Sequence, residues 1–435
     1  MSRNFAPIVK WGTDKRYKKV EDFLLRPSVE EQPMKAAAAI LADVKERGDK
    51  AVVEYARRFD GSNISTRRIR VTAGEVAEAR KTVDAEFKQA AQEACSRIVA
   101  FAENGLRDDW KMATPKGGML GEKFIPYDRV GAYIPGGAAP LASTALMTLT
   151  LARVAGVKEL VACSPADRDG KLNPYIIYAL DLAGATEIYK IGGVHAIGAM
   201  AYGTKSIAKV RKIVGPGGPY VTAAKRQVYG DVALDMVAGP SEIAVLCDSS
   251  AHPAHVAADL LSQAEHGTGS EKSLLVTTSQ KQAEAIRAEV LKQAQTLSRS
   301  EPINTVLSKG MLLVVVGNMA DGMKLCNLFA PEHMELIVRN PEKWVDKVTN
   351  AGALFIGEWT PESVGDFVAG PSHVLPTGGT AAYFSGLTVE DFRRRMSLIE
   401  FTKEDLEETL PVVEAFGRVE TLDGHARSAA IRFEG

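Results

Sequence analysis

Seven histidines in 435 residues (His195, His252, His255, His266, His333, His373 and His425) are few enough to be weighed one by one. Gln263 and His266 stand three apart near the end of a helical stretch stopped by Gly267. Both side chains therefore project from one face at its C-terminal edge, within reach of one metal ion. Glu332-His333 follows Ala330-Pro331 just before a strand-like run, Asp366 and His373 flank a Gly-Pro turn, and His425 follows Gly424 in the tail. Zinc accepts imidazole nitrogen and carboxylate oxygen and tolerates a carboxamide oxygen, so a Gln-His-Asp-His set is chemically sound. Each residue alone also has a plain structural role: a satisfied histidine before a strand, a helix-end imidazole suited to the dipole, an aspartate that forms a turn. His252 and His255 read as helix-start residues.

Three glycine-rich loops could bring backbone close to a phosphate or a ring. They are Tyr133-Ile134-Pro135-Gly136-Gly137, Val214-Gly215-Pro216-Gly217-Gly218-Pro219 and Ala238-Gly239-Pro240-Ser241-Glu242. None has the G-x-G-x-x-G spacing after a strand with an acid about 20 residues on, so spacing alone assigns no dinucleotide site.

The elements that must carry these residues follow from periodicity. Residues 159–163, 187–191, 212–214, 243–247, 273–277, 312–316, 334–338 and 353–356 read as buried strands. Amphipathic stretches at 174–184, 219–228, 254–266, 280–294 and 318–328 fall between them. That alternation predicts βαβ units and a largely parallel sheet covered on both faces, an α/β class, with blocks of about 130–241 and 242–357 suited to two related layers. Upstream, 36–47, 50–58 and a long run over 73–104 are helical, with a short strand expected at 68–71. Residues 1–25, with Lys15, Arg16, Lys18 and Lys19, read as an arm outside the main body. After about 385 strand patterning is expected to stop, leaving a charged helical tail (389–395 and 403–414) that cannot bury itself and packs on another domain or subunit.

Composition bounds the function. Lys and Arg number 53 against 54 Asp and Glu, a net charge of -1, so no global positive field exists for a nucleic acid or an anionic membrane. Hydrophobic residues at 46% and charged residues at 25% match soluble globular chains and argue against a disordered or membrane-spanning one. The four scattered cysteines and the absence of an apolar signal at the N-terminus point to a reducing, cytoplasmic setting.

Taken together these segments resemble the histidinol dehydrogenase family from about residue 40 to 432. The resemblance rests on Arg47-Gly48-Asp49, Phe59-Asp60-Gly61, the Tyr133 loop with 140–144, Ala201-Tyr202-Gly203-Thr204, Asp235-Met236 with 238–242, and 259–267. It continues in Ala330-Pro331-Glu332-His333, 370–379 and Gly424-His425-Ala426. It implies two Rossmann-like parallel-sheet domains of the aldehyde-dehydrogenase type: a main domain from 26–132 and 242–385, an inserted domain at 133–241, the arm at 1–25, and a tail at 386–435 docked on the partner subunit of a homodimer. It further implies oxidation of L-histidinol to L-histidine in two NAD-dependent steps through a bound aldehyde, with one Zn2+ per subunit.

By the same resemblance Gln263, His266, Asp366 and His425 match the zinc ligands, and Glu332 and His333 the acid-base pair. Ser143, Ser241, His373 and Glu420 match residues that line the pocket, where the ligand set and His333 also meet substrate; the tail's His425 and Glu420 come from the partner. A neutral imidazole near pH 7 suits His333 as general base, and Glu332 suits the water that hydrates the aldehyde. Tyr133, His195 and Gly218 fall at the family's contacts to the nicotinamide cofactor. Two of these depart from the family pattern, His195 replacing a glutamine and Gly217-Gly218-Pro219 replacing a Gly-Asn sequence; Ser372 stands where an asparagine is frequent. The rivals are a paralogue that oxidises another small primary alcohol, such as a sulfopropanediol, whose site would need an extra cation for the sulfonate, and a zinc-binding homologue without redox function.

Overall fold

Runs of Val, Ile, Leu and Ala with no polar alternation become strands here because helices cover both faces of each sheet. The computed structural model describes residues 5–12, 17–26, 31–136, 140–237, 239–266 and 269–434, which leaves Lys15, Arg16, Gly137, Ala238 and Gly267 outside the described residues. In chain order the first strands are β1 (Ile8–Trp11), β2 (Trp110–Ala113), β3 (Met119–Pro126), β4 (Arg129–Tyr133), β5 (Glu159–Cys163), β6 (Glu187–Tyr189) and β7 (Lys212–Val214). There follow β8 (Ala233–Leu234), β9 (Glu242–Cys247), β10 (Lys272–Thr277), β11 (Met311–Val316), β12 (His333–Ile337), β13 (Ala353–Ile356) and β14 (Arg393–Glu400).

Two parallel sheets result, one ordered β6-β5-β4-β7-β8 and the other β1-β11-β10-β9-β12-β13. Counted from their own first strands, β4 and β9, both are wound 3-2-1-4-5, so the two blocks expected from the sequence are two copies of one topology. Each sheet is sandwiched. Ile243, Val245 and Cys247 face a core formed with the helices Pro253–Ala264, Gln280–Gln293 and Ser300–Lys309, while Ala244 and Leu246 face the helix Met319–Phe329. In the smaller sheet Leu160 and Ala162 meet the helices Ala85–Gly105, Ala142–Val154 and Pro174–Ala183; Val161 and Cys163 meet Glu31–Arg47 and Gly193–Tyr202. The helices between 31 and 105 thus pack on the smaller sheet, a grouping different from the main-domain membership expected for 26–132.

Three local expectations are corrected. The run over 73–104 is two helices, Ala73–Thr82 and Ala85–Gly105, because the Asp84 side chain accepts the Phe87 N–H at 2.8 Å and restarts the chain. The N-terminal segment is not an outlying arm: β1 pairs in parallel with β11, and the helix Lys18–Leu24 buries Val20 and Phe23. Residues 68–71 make only a single antiparallel bridge, Arg70 to Tyr189.

The tail is corrected too. β14 pairs antiparallel with β3 over all eight residues, and β2 completes a three-stranded sheet. Its sequence RRRMSLIE has neither face buried, so no alternation could reveal it. Beyond it the helices Lys403–Val419 and Asp423–Ala430 pack on each other and expose Val412, Phe416, Val419, Leu422 and Ile431. No helix among the described residues is long and apolar enough to cross a membrane.

Arg26 closes the N-terminal segment onto the large sheet. Its guanidinium pairs with the buried Glu242 carboxylate, donates to the Phe329 carbonyl at 3.0 Å and lies 4.2 Å above the Phe329 ring. Breaking a buried pair leaves an uncompensated charge, so Arg26→Met is expected to lower unfolding free energy by about 3 kcal/mol in urea denaturation; a loss under about 1 kcal/mol would show that Glu242 needs no partner.

Candidate active site

The amino ends of β9 and β12 meet the loop 366–377 and the first turn of the helix Ala142–Val154. His333 opens β12, flanked in register by Ile243 and Ala353, and Glu332 directly precedes it. Ala330 takes a left-handed conformation (φ 45°) at the end of the preceding helix and turns the chain into this strand. One Glu332 oxygen accepts the Glu242 N–H at 3.1 Å.

Gln263, fully buried in the last turn of the helix Pro253–Ala264, bridges two histidines. The His333 Nδ1–H donates to Gln263 Oε1 at 2.9 Å, and Gln263 Nε2 donates to His266 Nδ1 at 3.2 Å. This places the free lone pair of His333 on Nε2, which lies 4.0 Å from Asp366 Oδ1. His373 is fixed likewise: its Nδ1–H donates to the Asp366 carbonyl at 3.0 Å, and Nε2 faces the Thr144 hydroxyl at 3.2 Å. Ser372 adds a hydrogen bond to the Met147 carbonyl at 3.0 Å, so the loop is tied to the helix that follows β4.

Gln263, His266 and Asp366 therefore converge as the sequence suggests, with Glu332, His333 and His373 around them. A residue that sequence reasoning missed joins them. Glu362, four before Asp366 on the helix Glu362–Phe367, has a carboxylate oxygen within 4.8 Å of ligand atoms of both His266 and Asp366. The i, i+4 spacing was the available signal. Ser262 donates to Glu362 Oε2, the Glu362 N–H donates to Glu335 Oε1 at 2.9 Å, and Glu362 Oε1 is buried without a hydrogen-bond partner.

Burial pushes the Glu332 carboxyl far above the usual range; it also raises Glu362 and Asp366, with Glu362 adding to the rise at Asp366. Buried acids held up by burial and by one another, with an orphaned oxygen and a nearby imidazole, are a donor set that a divalent cation satisfies. The residues present fit zinc.

Ser143 and Ser241 are half-buried at the ends of neighbouring segments. Glu420 and His425 form no hydrogen bond or ion pair with this cluster among the described residues: both lie exposed, Glu420 just after the helix Lys403–Val419 and His425 on the helix Asp423–Ala430.

The residues expected at a cofactor lie at the smaller sheet. Tyr133 ends β4, and its hydroxyl accepts the Gly193 N–H at 3.2 Å. Gly218 caps the helix Pro219–Val228 after β7 and has open space where a side chain would stand. In a sheet wound this way β4 and β7 border the switch point, the crevice where dinucleotides bind. His195 is 1% exposed, with Nε2 3.4 Å from Asp60, and the Asp60 carboxylate accepts the Gly192 N–H beside the Gly193 N–H that Tyr133 accepts.

Two doubly wound sheets with an acid-histidine pair and a metal-donor cluster at the edge of one of them make an α/β protein with the groups of an enzyme site. A family model described as histidinol dehydrogenase matches residues 26–433. Histidinol dehydrogenase from Heliobacterium mobile is 43% identical over 91% of this chain and 93% of its own length, and that from Bacillus subtilis (strain 168) is 42% identical over 92% and 93%. The crystal structure of histidinol dehydrogenase from Elizabethkingia anophelis superposes with a TM-score of 0.94 at 35% identity, covering 100% of this chain and 99% of that one. The chain belongs to the histidinol dehydrogenase family and is a dehydrogenase, an oxidoreductase.

Burial depresses His333 to about 4, so in the metal-free protein its ring is neutral at pH 5.5. The folded chain then binds fewer protons than the unfolded one between about 4 and an ordinary histidine value near 6.5, and this group costs stability as the pH falls through that window. NMR titration of the His333 ring should show no step between pH 5.5 and 8; a midpoint near 6.5 would contradict the enclosure described here.

Proposed function

We propose that this chain oxidises L-histidinol to L-histidine through a bound aldehyde, passing two hydrides to two NAD, with one Zn2+ per site, in histidine biosynthesis. The observation that carries this reading is the convergence of Gln263, His266 and Asp366 on the Glu332-His333 pair. Relatives named histidinol dehydrogenase at about 42% identity support the substrate over a sulfonated alcohol.

In the first step the alcohol would give its hydride to a bound nicotinamide cofactor and its hydroxyl proton to His333 Nε2, whose lone pair is available because the Nδ1–H is held by Gln263. Between the steps His333 passes its proton to solvent; in the second, water oriented by Glu332 adds to the aldehyde, a hydroxyl proton of the hydrate goes to the freed His333, and the hydrate would give its second hydride to a second bound cofactor. Glu332, anchored at one oxygen by the Glu242 N–H, keeps the other oxygen to orient that water. Gln263, His266 and Asp366 would hold the zinc ion, which would supply Lewis acidity at the substrate. Tyr133 and Gly218 at the switch point would hold NAD, which would supply the hydride acceptor. Glu362 is a further donor or a direct support of the zinc ligands. Ser143, Ser241 and His373 line the substrate pocket.

The homodimer completes the site in this reading. The apolar row Val412, Phe416, Val419 and Leu422 on the tail helices is exposed in a single chain, as a surface that docks on a partner would be. Docking there carries Glu420 and His425 into the other subunit's pocket. The setting is cytoplasmic.

The purified zinc-loaded protein is expected to form two NADH per L-histidinol consumed at 340 nm, with no turnover of dihydroxypropanesulfonate; a ratio of one, or preference for the sulfonate, would overturn the assignment. His333→Ala is expected to slow both oxidations, whereas Glu332→Gln slows chiefly aldehyde oxidation, measured by supplying histidinaldehyde directly; equal damage by Glu332→Gln would remove it from the water step. Glu362→Ala should weaken zinc about 10- to 100-fold in competition with a chromophoric chelator, and unchanged affinity would exclude Glu362 from the centre.

A further inference from the structure

The loop 215–218 after β7 carries little of its own with which to grip a ligand: Gly218 has no side chain, and Pro219 has no N–H at the start of the helix that follows. What the loop offers depends on where its backbone is held. We propose that Lys225 and Asp235 are positioning residues for the cofactor, clamping Gly215 so that the loop is preformed at the crevice between β4 and β7. The inference rests on the NAD reading above and concerns how that site is built.

The geometry is a closed triangle. The Gly215 N–H donates to Asp235 Oδ2 at 2.7 Å, Lys225 Nζ donates to the Gly215 carbonyl at 2.8 Å, and Lys225 Nζ donates to Asp235 Oδ1 at 2.5 Å. Both backbone groups of one glycine are thus satisfied by the two ends of one ion pair, with side chains only 3% and 0% exposed. Burying such a pair carries a heavy desolvation cost, which apolar side chains of similar size would avoid. Two separate contacts show what the clamp fixes. Gly215 adopts φ +109°, and a Cβ there would meet the Tyr133 carbonyl oxygen at 2.2 Å, so the loop is pressed onto the end of β4. Gly217 is pressed onto Val221, where a Cβ would meet Cγ1 at 2.3 Å, which leaves Gly218 facing open space.

Lys225 comes from inside the helix Pro219–Val228 and Asp235 from just after β8, so the pair locks the loop to the elements on both sides of it. Holding a loop in its bound shape removes an ordering cost from binding. Loss of the clamp should therefore appear in cofactor affinity and not in the chemistry at His333.

The test is NAD binding by isothermal titration together with steady-state kinetics on Lys225→Met, Asp235→Asn and the double variant Lys225→Met/Asp235→Leu, which removes both charges at once and guards against a single variant that fails to fold. The expected result is a rise of at least tenfold in NAD Kd and KM for Lys225→Met and the double variant, and a smaller rise for Asp235→Asn, which keeps an acceptor for the Gly215 N–H. KM for L-histidinol and kcat at saturating NAD should stay within about twofold, and amide hydrogen exchange at 215–218 should quicken without NAD. Folded variants that bind NAD as the unaltered chain does, even with a lowered melting temperature, overturn the clamp and leave a structural ion pair. Failure of the unaltered chain to bind NAD overturns both the clamp and the reading beneath it.

Discussion

A single carboxamide organises the centre of this molecule. Gln263 accepts from His333 and donates to His266, so one planar group settles which nitrogen of each ring carries the proton. A rotation of that amide by half a turn would present a donor to a donor, and both imidazoles would have to change tautomer. The constraint propagates outward because Gln263 has no freedom of its own: it is fully buried in the last turn of a helix whose other face supports the large sheet. Around it the acids Glu332, Glu362 and Asp366 are only partly satisfied: the Glu242 N–H meets one oxygen of Glu332, the Ser262 hydroxyl meets one of Glu362, and the other Glu362 oxygen is left without a hydrogen bond.

The two sheets divide the work by their ends. The smaller one presents its carboxyl edge, where Tyr133 stops and Gly218 opens a helix, while the larger presents its amino edge, where Glu332 and His333 enter β12. The joint between them combines hydrogen bonds, Thr144 to His373, Ser372 to Met147 and Gly239 to Thr377, with Val374 buried in the core of the smaller sheet. Those contacts fix the distance between whatever occupies the two edges.

Much of this was legible in the sequence because buried parallel strands announce themselves as unbroken apolar runs; 159–163, 212–214 and 353–356 coincide with the observed strands residue for residue. The helices between them lay within a few residues of their observed ends, since Pro, Ser and Asn caps mark where each begins. Legibility failed where burial did not depend on the strand's own pattern. β1 is four residues on a sheet edge, and β14 exposes both faces, so neither offers a period to detect. In the site, Gln263, His266 and Asp366 stood out by type and spacing, whereas Glu362 lies on a six-residue helix that the periodicity did not mark. The approach of His195 to Asp60 depends on tertiary packing that no local signal reports.

The repeated winding leaves the large sheet with a crevice of its own, at the carboxyl ends of β9 and β12. There the Asp248 carboxylate takes the N–H groups of Ser250 at 2.8 Å and Arg339 at 3.0 Å, closing the switch point from within. A duplicated architecture thus treats its two switch points differently: one ends at Gly218, with open space where a side chain would stand, and the other at a carboxylate that ties its own loops together.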